Sequence, residues 1–225
     1  DVLGSIGSMN HVDLGCGTGK QTIPMAKAVG SSGSVLAIDI SSESLNPLIA
    51  VAKNNNVEKR ITVLNIELDN LESSLIQNKY DRILSSFSIY YTKNPNILFE
   101  VIHSSLKSGG IFFFCGPSSK NNIELKDFIS AVKNSDEAQI SGGADFMENT
   151  GQTLAKELFG NIEIFHFENP LMFDSVDSLY SYWSSYNFYD ENIDGAFKEA
   201  AIKHFQTNKY FITSKRVVGV KTIKK

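Results

Sequence analysis

The chain is poor in cysteine, tryptophan and proline, with two, one and five of these in 225 residues. Two cysteines, Cys16 and Cys115, make no disulfide framework and suit a reducing compartment, so a cytoplasmic protein is expected. No fully apolar run exceeds five residues, 111–115 being one, whereas a membrane-crossing helix needs about 20. The sequence begins on Asp1 rather than Met and opens on no apolar leader, so a trimmed start without a secretory signal is expected. An excess of one charge is also missing. The 21 Lys and Arg stand against 25 Asp and Glu, a net −4, so no global basic field marks a nucleic-acid partner. Four histidines, His11, His103, His166 and His204, share no ligand spacing, and no metal is assigned. Internal repeats, heptads and low-complexity tracts are absent too. A membrane protein and a disulfide scaffold are excluded.

What is present is a globular composition, 42% apolar and 20% charged. At roughly 150 residues per domain the length fits one domain with an elaboration. Over the first two-thirds, short β-rich runs alternate with helical stretches, the pattern of a parallel sheet with crossover helices. Strands are expected at 11–16, 34–40, 61–66, 80–88 and 111–115. Helices are expected at 20–29, at 44–54 with Ser41 or Ser42 as N-cap, and at 96–106, where Gly109 and Gly110 mark the end. Beyond residue 120 the rhythm loosens. A helix is expected at 125–132, a polar loop at 135–149, a short helix at 152–159 and a strand at 161–167. Helices at 175–186 and 193–205 then precede a last strand at 210–221. The fold class is α/β, a doubly wound sheet with helices on both faces. Residues 1–225 form a single domain, and 169–208 is a helical insertion expected to cap any site.

The strongest local signal is His11-Val-Asp-Leu-Gly-Cys-Gly-Thr-Gly-Lys20. A strand runs into a glycine-rich turn and a helix comes at once, which makes the ligand crevice of open α/β sheets. Gly15, Gly17 and Gly19 let the main chain turn sharply and let a ligand approach where a Cβ would forbid it. A phosphate-cradling P-loop needs glycine at the place of Leu14 and Ser or Thr at that of Gln21, so it fails. A nicotinamide fingerprint would put its third glycine where Lys20 stands, and is weak.

With an acid ending the strand, VDLGCGTG resembles the first motif of the class I, Rossmann-like S-adenosylmethionine (SAM) dependent methyltransferases. The resemblance covers motifs between about residues 10 and 117 and the element order throughout. It implies a seven-stranded, mostly parallel sheet whose last strand is antiparallel, with SAM as cofactor and S-adenosylhomocysteine (SAH) as product. The cofactor carries cationic sulfonium and amino groups and no phosphate, so Asp13 fits where a phosphate site would want donors. Gly15, Cys16, Gly17 and Gly19 are expected around it. Asp39 ends Val-Leu-Ala-Ile-Asp, 24 positions after Gly15, and fits a carboxylate accepting both ribose hydroxyls. Glu67, in Asn65-Ile-Glu-Leu, matches the family's acid at the adenine edge, where many members carry Asp. Ile40 and Leu68 are expected on the two faces of the adenine. The fourth strand's end, Ser85-Ser86-Phe87-Ser88, faces the reacting centre, with Ser85 counted among the cofactor contacts.

The residues at and beyond the end of the fourth strand bear on the reaction type. The Asn/Asp-Pro-Pro-aromatic motif of base-amine methylases is absent, as are the acids of metal-dependent catechol-type enzymes, and Cys115 lies in an apolar strand where a thiol is inert. Ser-Ser-Phe-Ser-Ile-Tyr-Tyr is similar to the small-molecule branch. Tyr90 and Tyr91 are therefore expected beside the methyl acceptor, and Tyr90, Tyr91 or His166 would serve as general base. The aromatics Tyr180, Tyr182, Trp183, Tyr186, Phe188 and Tyr189 fit either an apolar lid or helix packing. The six Lys and Arg from Lys209 to Lys225 fit a guarded edge strand or an RNA-contacting strip. Family members carry a helix ahead of the first strand, whereas ten residues precede His11. Either that lid is missing or 169–208 replaces it. The reading is methyl transfer from SAM to a small-molecule O, N or C acceptor, with no membrane partner. Two alternatives stay open, an RNA or other nucleic-acid methyltransferase and a non-catalytic SAM-binding protein.

Overall fold

The computed structural model describes residues 8–75, 77–134 and 141–225. Strands β1 (Asn10–Leu14), β2 (Ser34–Asp39), β3 (Ile61–Asn65), β4 (Tyr80–Ser86) and β5 (Leu106–Pro117) are followed by β6 (Ile162–Phe173) and β7 (Phe211–Ile223). The helices are α1 (Thr22–Ala28), α2 (Ser42–Asn54), α3 (Pro95–Ser105), α4 (Ile123–Lys133), α5 (Gly142–Asp145), α6 (Gly151–Phe159), α7 (Val176–Ser184) and α8 (Asp194–Thr207). The sheet runs β3-β2-β1-β4-β5-β7-β6. The first five strands pair in parallel. β7 runs against β5, since Gly109 and Gly110 exchange backbone hydrogen bonds with Lys224 while Ser118 donates to Arg216. The doubly wound sheet with one reversed strand is thus as expected.

The chain divides into two compact units. One holds Asp1–Pro117, Gly142–His166 and Val218–Lys225, the other Ser118–Ser141 and Phe167–Val217. In the first unit the two-residue period of the strands sorts side chains to opposite faces. Val12, Leu14, Ile83, Phe112 and Phe114 pack with Phe99 and Ile102 of α3 and Phe159 of α6. Val35, Leu84 and Phe113 pack with Ile23, Met25 and Ala26 of α1. A sheet covered on both faces needs strands apolar throughout, which β5 provides with Ile-Phe-Phe-Phe. In the second unit Trp183 stacks on Phe197 at 3.9 Å, with Leu125, Ile129, Leu179 and Phe211 around them. Trp183 from the aromatic-rich stretch is therefore the centre of this unit's core.

Several expected boundaries move. β5 has 12 residues rather than five, because pairing with Tyr80 and Lys224 draws residues 106–110 into the strand. β6 reaches Phe173, so the helical part of the insertion starts only at Val176. The expected loop at 135–149 is corrected in its second half. Residues 135–140 lie outside the described ones, but Gly142–Asp145 is helical and Phe146–Thr150 continues as a π-type turn that buries Phe146 and Met147. Ser41 is the N-cap of α2, its hydroxyl accepting from the Ser44 N–H at 3.1 Å. Among the described residues no helix is long and apolar enough to cross a membrane.

Candidate functional site

β1 delivers Asp13 to the base of the glycine loop, where only 1% of it is exposed. The Thr22 hydroxyl, at the start of α1, donates to its carboxylate at 2.6 Å. Burial pushes the Asp13 carboxyl up to about 6, the Thr22 hydrogen bond opposes this, and the nearby charge of Asp39 adds to it. The same burial, with the charges of Asp13 and Asp39, pushes the Cys16 thiol up to about 12, so it is no nucleophile at neutral pH. Above Asp13 the loop is shaped by its glycines. A Cβ on Gly15 would lie 2.1 Å from the Ser88 Cβ, whereas one on Gly17 would meet nothing within 4 Å. Close approach at Gly15 is thus to the protein itself, and the open side of the loop is at Gly17.

Asp39, at the end of β2, ties this loop down. One oxygen accepts from the Gly17 N–H at 2.7 Å and the other from the Ser41 N–H at 2.9 Å. Across the loop, Ser88 donates its hydroxyl to the Leu14 carbonyl at 2.6 Å and lies 2.7 Å from the Ser85 hydroxyl. Phe87 between them has φ of +57°, a left-handed conformation that is strained for a bulky residue, and its N–H is held by the Cys115 carbonyl at 2.8 Å. These elements enclose a cavity of about 350 Å³ at the carboxyl ends of β1, β2, β3 and β4. Its lining runs from Gly15, Asp39 and Ile40 through Ile66–Asp69 to Phe87, Ser88, Tyr91 and Lys93. An apolar pocket of this size with a few convergent polar groups is the form of a small-molecule site.

Of the residues expected from sequence, Gly15, Asp39, Ile40, Glu67, Leu68 and Tyr91 line one cavity. Asp13, Cys16, Gly17, Gly19 and Ser85 lie outside its lining; Asp13 and Ser85 are buried, Ser85 hydrogen-bonded to the lining residue Ser88 and Asp13 to Thr22. Tyr91 is 75% exposed. Tyr90 instead turns its ring against Gly116 and Gly143, where added Cβ atoms would come within 2.8 and 3.0 Å of it. Burial raises the Tyr90 phenol far above its ordinary range, so it carries no base at neutral pH. His166 is exposed on β6, at the edge of the sheet farthest from β3, and is not brought to the cavity. Sequence reasoning missed Ile66, Asp69, Phe87, Ser88 and Lys93. Ser88 and Phe87 carried a signal in their place at the end of the fourth strand; Asp69 and Lys93 had none, since their meeting is long-range.

Known proteins resemble this chain in both sequence and fold. A family model described as a methyltransferase domain matches residues 7–166. Demethylmenaquinone methyltransferase from Staphylococcus aureus is 32% identical over 106 residues, 46% of this chain and 41% of the relative. Malonyl-[acyl-carrier protein] O-methyltransferase 2 from Ilyobacter polytropus is 26% identical over 126 residues, 55% of this chain and 45% of the relative. The chain therefore spans less than half the length of these two relatives. An arsenic (III) S-adenosylmethionine methyltransferase from Chlamydomonas reinhardtii superposes with a TM-score of 0.61 at 16% identity, over 98% of this chain and 65% of the other.

Proposed function

This chain belongs to the methyltransferase-domain family, and on that premise we propose that it transfers a methyl group from SAM to a small-molecule oxygen, nitrogen or carbon, releasing SAH. The observation that carries this reading is the cavity in which the Asp39 carboxylate, the glycine loop and the aliphatic faces of Ile40, Ile66 and Leu68 meet. The residues fit the cofactor. Each Asp39 oxygen takes one backbone N–H and keeps a lone pair for a ribose hydroxyl. Ile40, Ile66 and Leu68 would hold a flat base, with Glu67 at its polar edge, and the free side of Gly17 leaves room for main-chain contact. Asp13 would act from behind the loop, its buried charge favouring a cationic ligand.

When bound, the cofactor supplies an already electrophilic sulfonium methyl. The work left to the chain is to hold the acceptor in line and exclude water, an effect worth up to about 7–11 kcal/mol in favourable cases. Tyr91, on the open rim, is the retained candidate for contacting the acceptor or taking its proton. A small acceptor is further supported by the relatives' names, a demethylmenaquinone methyltransferase among them. Against a nucleic-acid substrate, three of the six cations of the basic tail are engaged within the chain. Arg216 pairs with Glu124 and Glu168, Lys221 with Glu163, and Lys224 caps the carbonyls of Ser104 and Leu106. We read residues 1–225 as one methyltransferase domain with the second unit as its helical elaboration. Two unpaired thiols fit a cytoplasmic setting.

Titration calorimetry with SAM tests the site. Asp39→Ala should weaken binding by about 1.5–3 kcal/mol, roughly 10- to 150-fold, since hydrogen bonds to a charged acceptor are lost. Unchanged affinity would remove Asp39 from the site. Tight SAM binding with no SAH release over a broad acceptor panel would favour a non-catalytic binding protein.

A further inference from the structure

The cavity has two walls that come from separate stretches of chain. Ile66, Glu67 and Leu68 lie just past β3, while Phe87, Ser88, Tyr91 and Lys93 lie just past β4. Asp69 is where the two are joined. It sits on the short helical turn Leu68–Ser73 and reaches across to the segment entering α3. Its carboxylate accepts the Thr92 hydroxyl at 2.5 Å and the backbone N–H groups of Lys93 and Asn94 at 3.1 Å each. Asn94 precedes α3 without a side-chain cap of its own, so the carboxylate takes up donors that the helix start leaves open.

We infer that Asp69 is a positioning residue, which staples the β3 wall of the cavity to the β4 wall and so retains the ligand between them. The inference rests on the reading that this cavity takes SAM and SAH. Partial burial opposes ionisation of Asp69, but the Thr92, Lys93 and Asn94 hydrogen bonds prevail and hold it below the usual carboxylate range. With Asp69 ionised, the staple is charge-assisted. Because the donors are all supplied by the chain, Asp69 acts on the ligand through the width of the mouth. Interface changes act mostly on escape rather than entry, so loss of this preformed tie should appear in the dissociation rate.

The test is surface plasmon resonance with SAH on the full chain, alongside thermal melting. Asp69→Ala should raise the SAH dissociation rate about 10- to 30-fold with little change in association. Thr92→Val removes one donor and keeps the carboxylate, so it tests the same contact with less disturbance of the fold, and it should raise the same rate about 3- to 10-fold. Glu72→Gln, on the same turn and away from the cavity, should leave both rates unchanged. Lowered melting temperatures with wild-type SAH kinetics in Asp69→Ala and Thr92→Val would reduce Asp69 to a cap of α3 and overturn the proposal. A wild-type chain that binds no SAH at all would instead sink the cofactor reading on which it stands.

Discussion

Gly15 and Gly17 stand two residues apart in one loop, both left-handed, with φ of +71° and +52°, yet their substitution should differ sharply. At Gly15 an added methyl meets the Ser88 side chain at 2.1 Å. Ser88 cannot retreat, because its hydroxyl is committed to Leu14 and Ser85. Gly15→Ala therefore combines left-handed strain with overpacking and should cost about 2–5 kcal/mol. Gly17 faces open space, so Gly17→Ala should cost only about 1–2 kcal/mol of stability. Its damage should fall on the ligand, which loses its approach to the main chain beside the Gly17–Asp39 hydrogen bond. Urea unfolding and SAH calorimetry on both variants separate these effects. Equal stability losses in the two would contradict this division of labour.

At the scale of elements, α3 and β5 make a tightly interlocked aromatic contact in the first unit. Phe99 is fully buried and meets Phe112 and Phe114 edge-on at 5.6 and 5.5 Å. Phe99→Ala should destabilise by about 3–5 kcal/mol, and a loss below about 1 kcal/mol in urea titrations would show that the core collapses around the gap. These elements were legible in sequence because local period and local apolarity define them: the alternating runs up to β5, the strand-to-glycine turn, and the acid that ends β2. What depends on pairing between distant residues was not. β5 extends backward because Leu106 pairs with Tyr80 and Gly109 and Gly110 meet Lys224. The polar stretch around 142–150 is helical because Phe146 and Met147 find a buried partner surface. His166 shows the same limit at the site, since strand order across the sheet puts β6 far from β1. Asp39 was readable from spacing, whereas the left-handed turn at Phe87 and the reach of Asp69 to Thr92 exist only in three dimensions.

For the molecule as a whole, β1 carries two buried titrating groups on one face whose pH dependences oppose each other. Neither ring nitrogen of His11 has a hydrogen-bond partner. Burial, aided by Arg82 and opposed by Asp81, lowers His11 to about 4 from 6.5. Between those values the unfolded chain binds the extra proton, so stability rises as pH increases. Asp13 is raised to about 6 from 3.8, so the folded chain binds the extra proton and stability falls across nearly the same window. At about 1.4 kcal/mol per pH unit between folded and unfolded values, each group contributes about 3 kcal/mol, and in the wild type the two nearly cancel between pH 4 and 6. Single substitutions should expose what the pair conceals. Relative to wild type, Asp13→Asn should gain about 3 kcal/mol of stability from pH 4 to 7, and His11→Leu should lose about as much. Glu124, held down to about 2 by its Arg216 hydrogen bond, titrates below this range and is common to all three chains. Urea unfolding at half-unit pH steps would read both differences, and differences that stay constant with pH would mean that neither group titrates in the folded interior as its surroundings require.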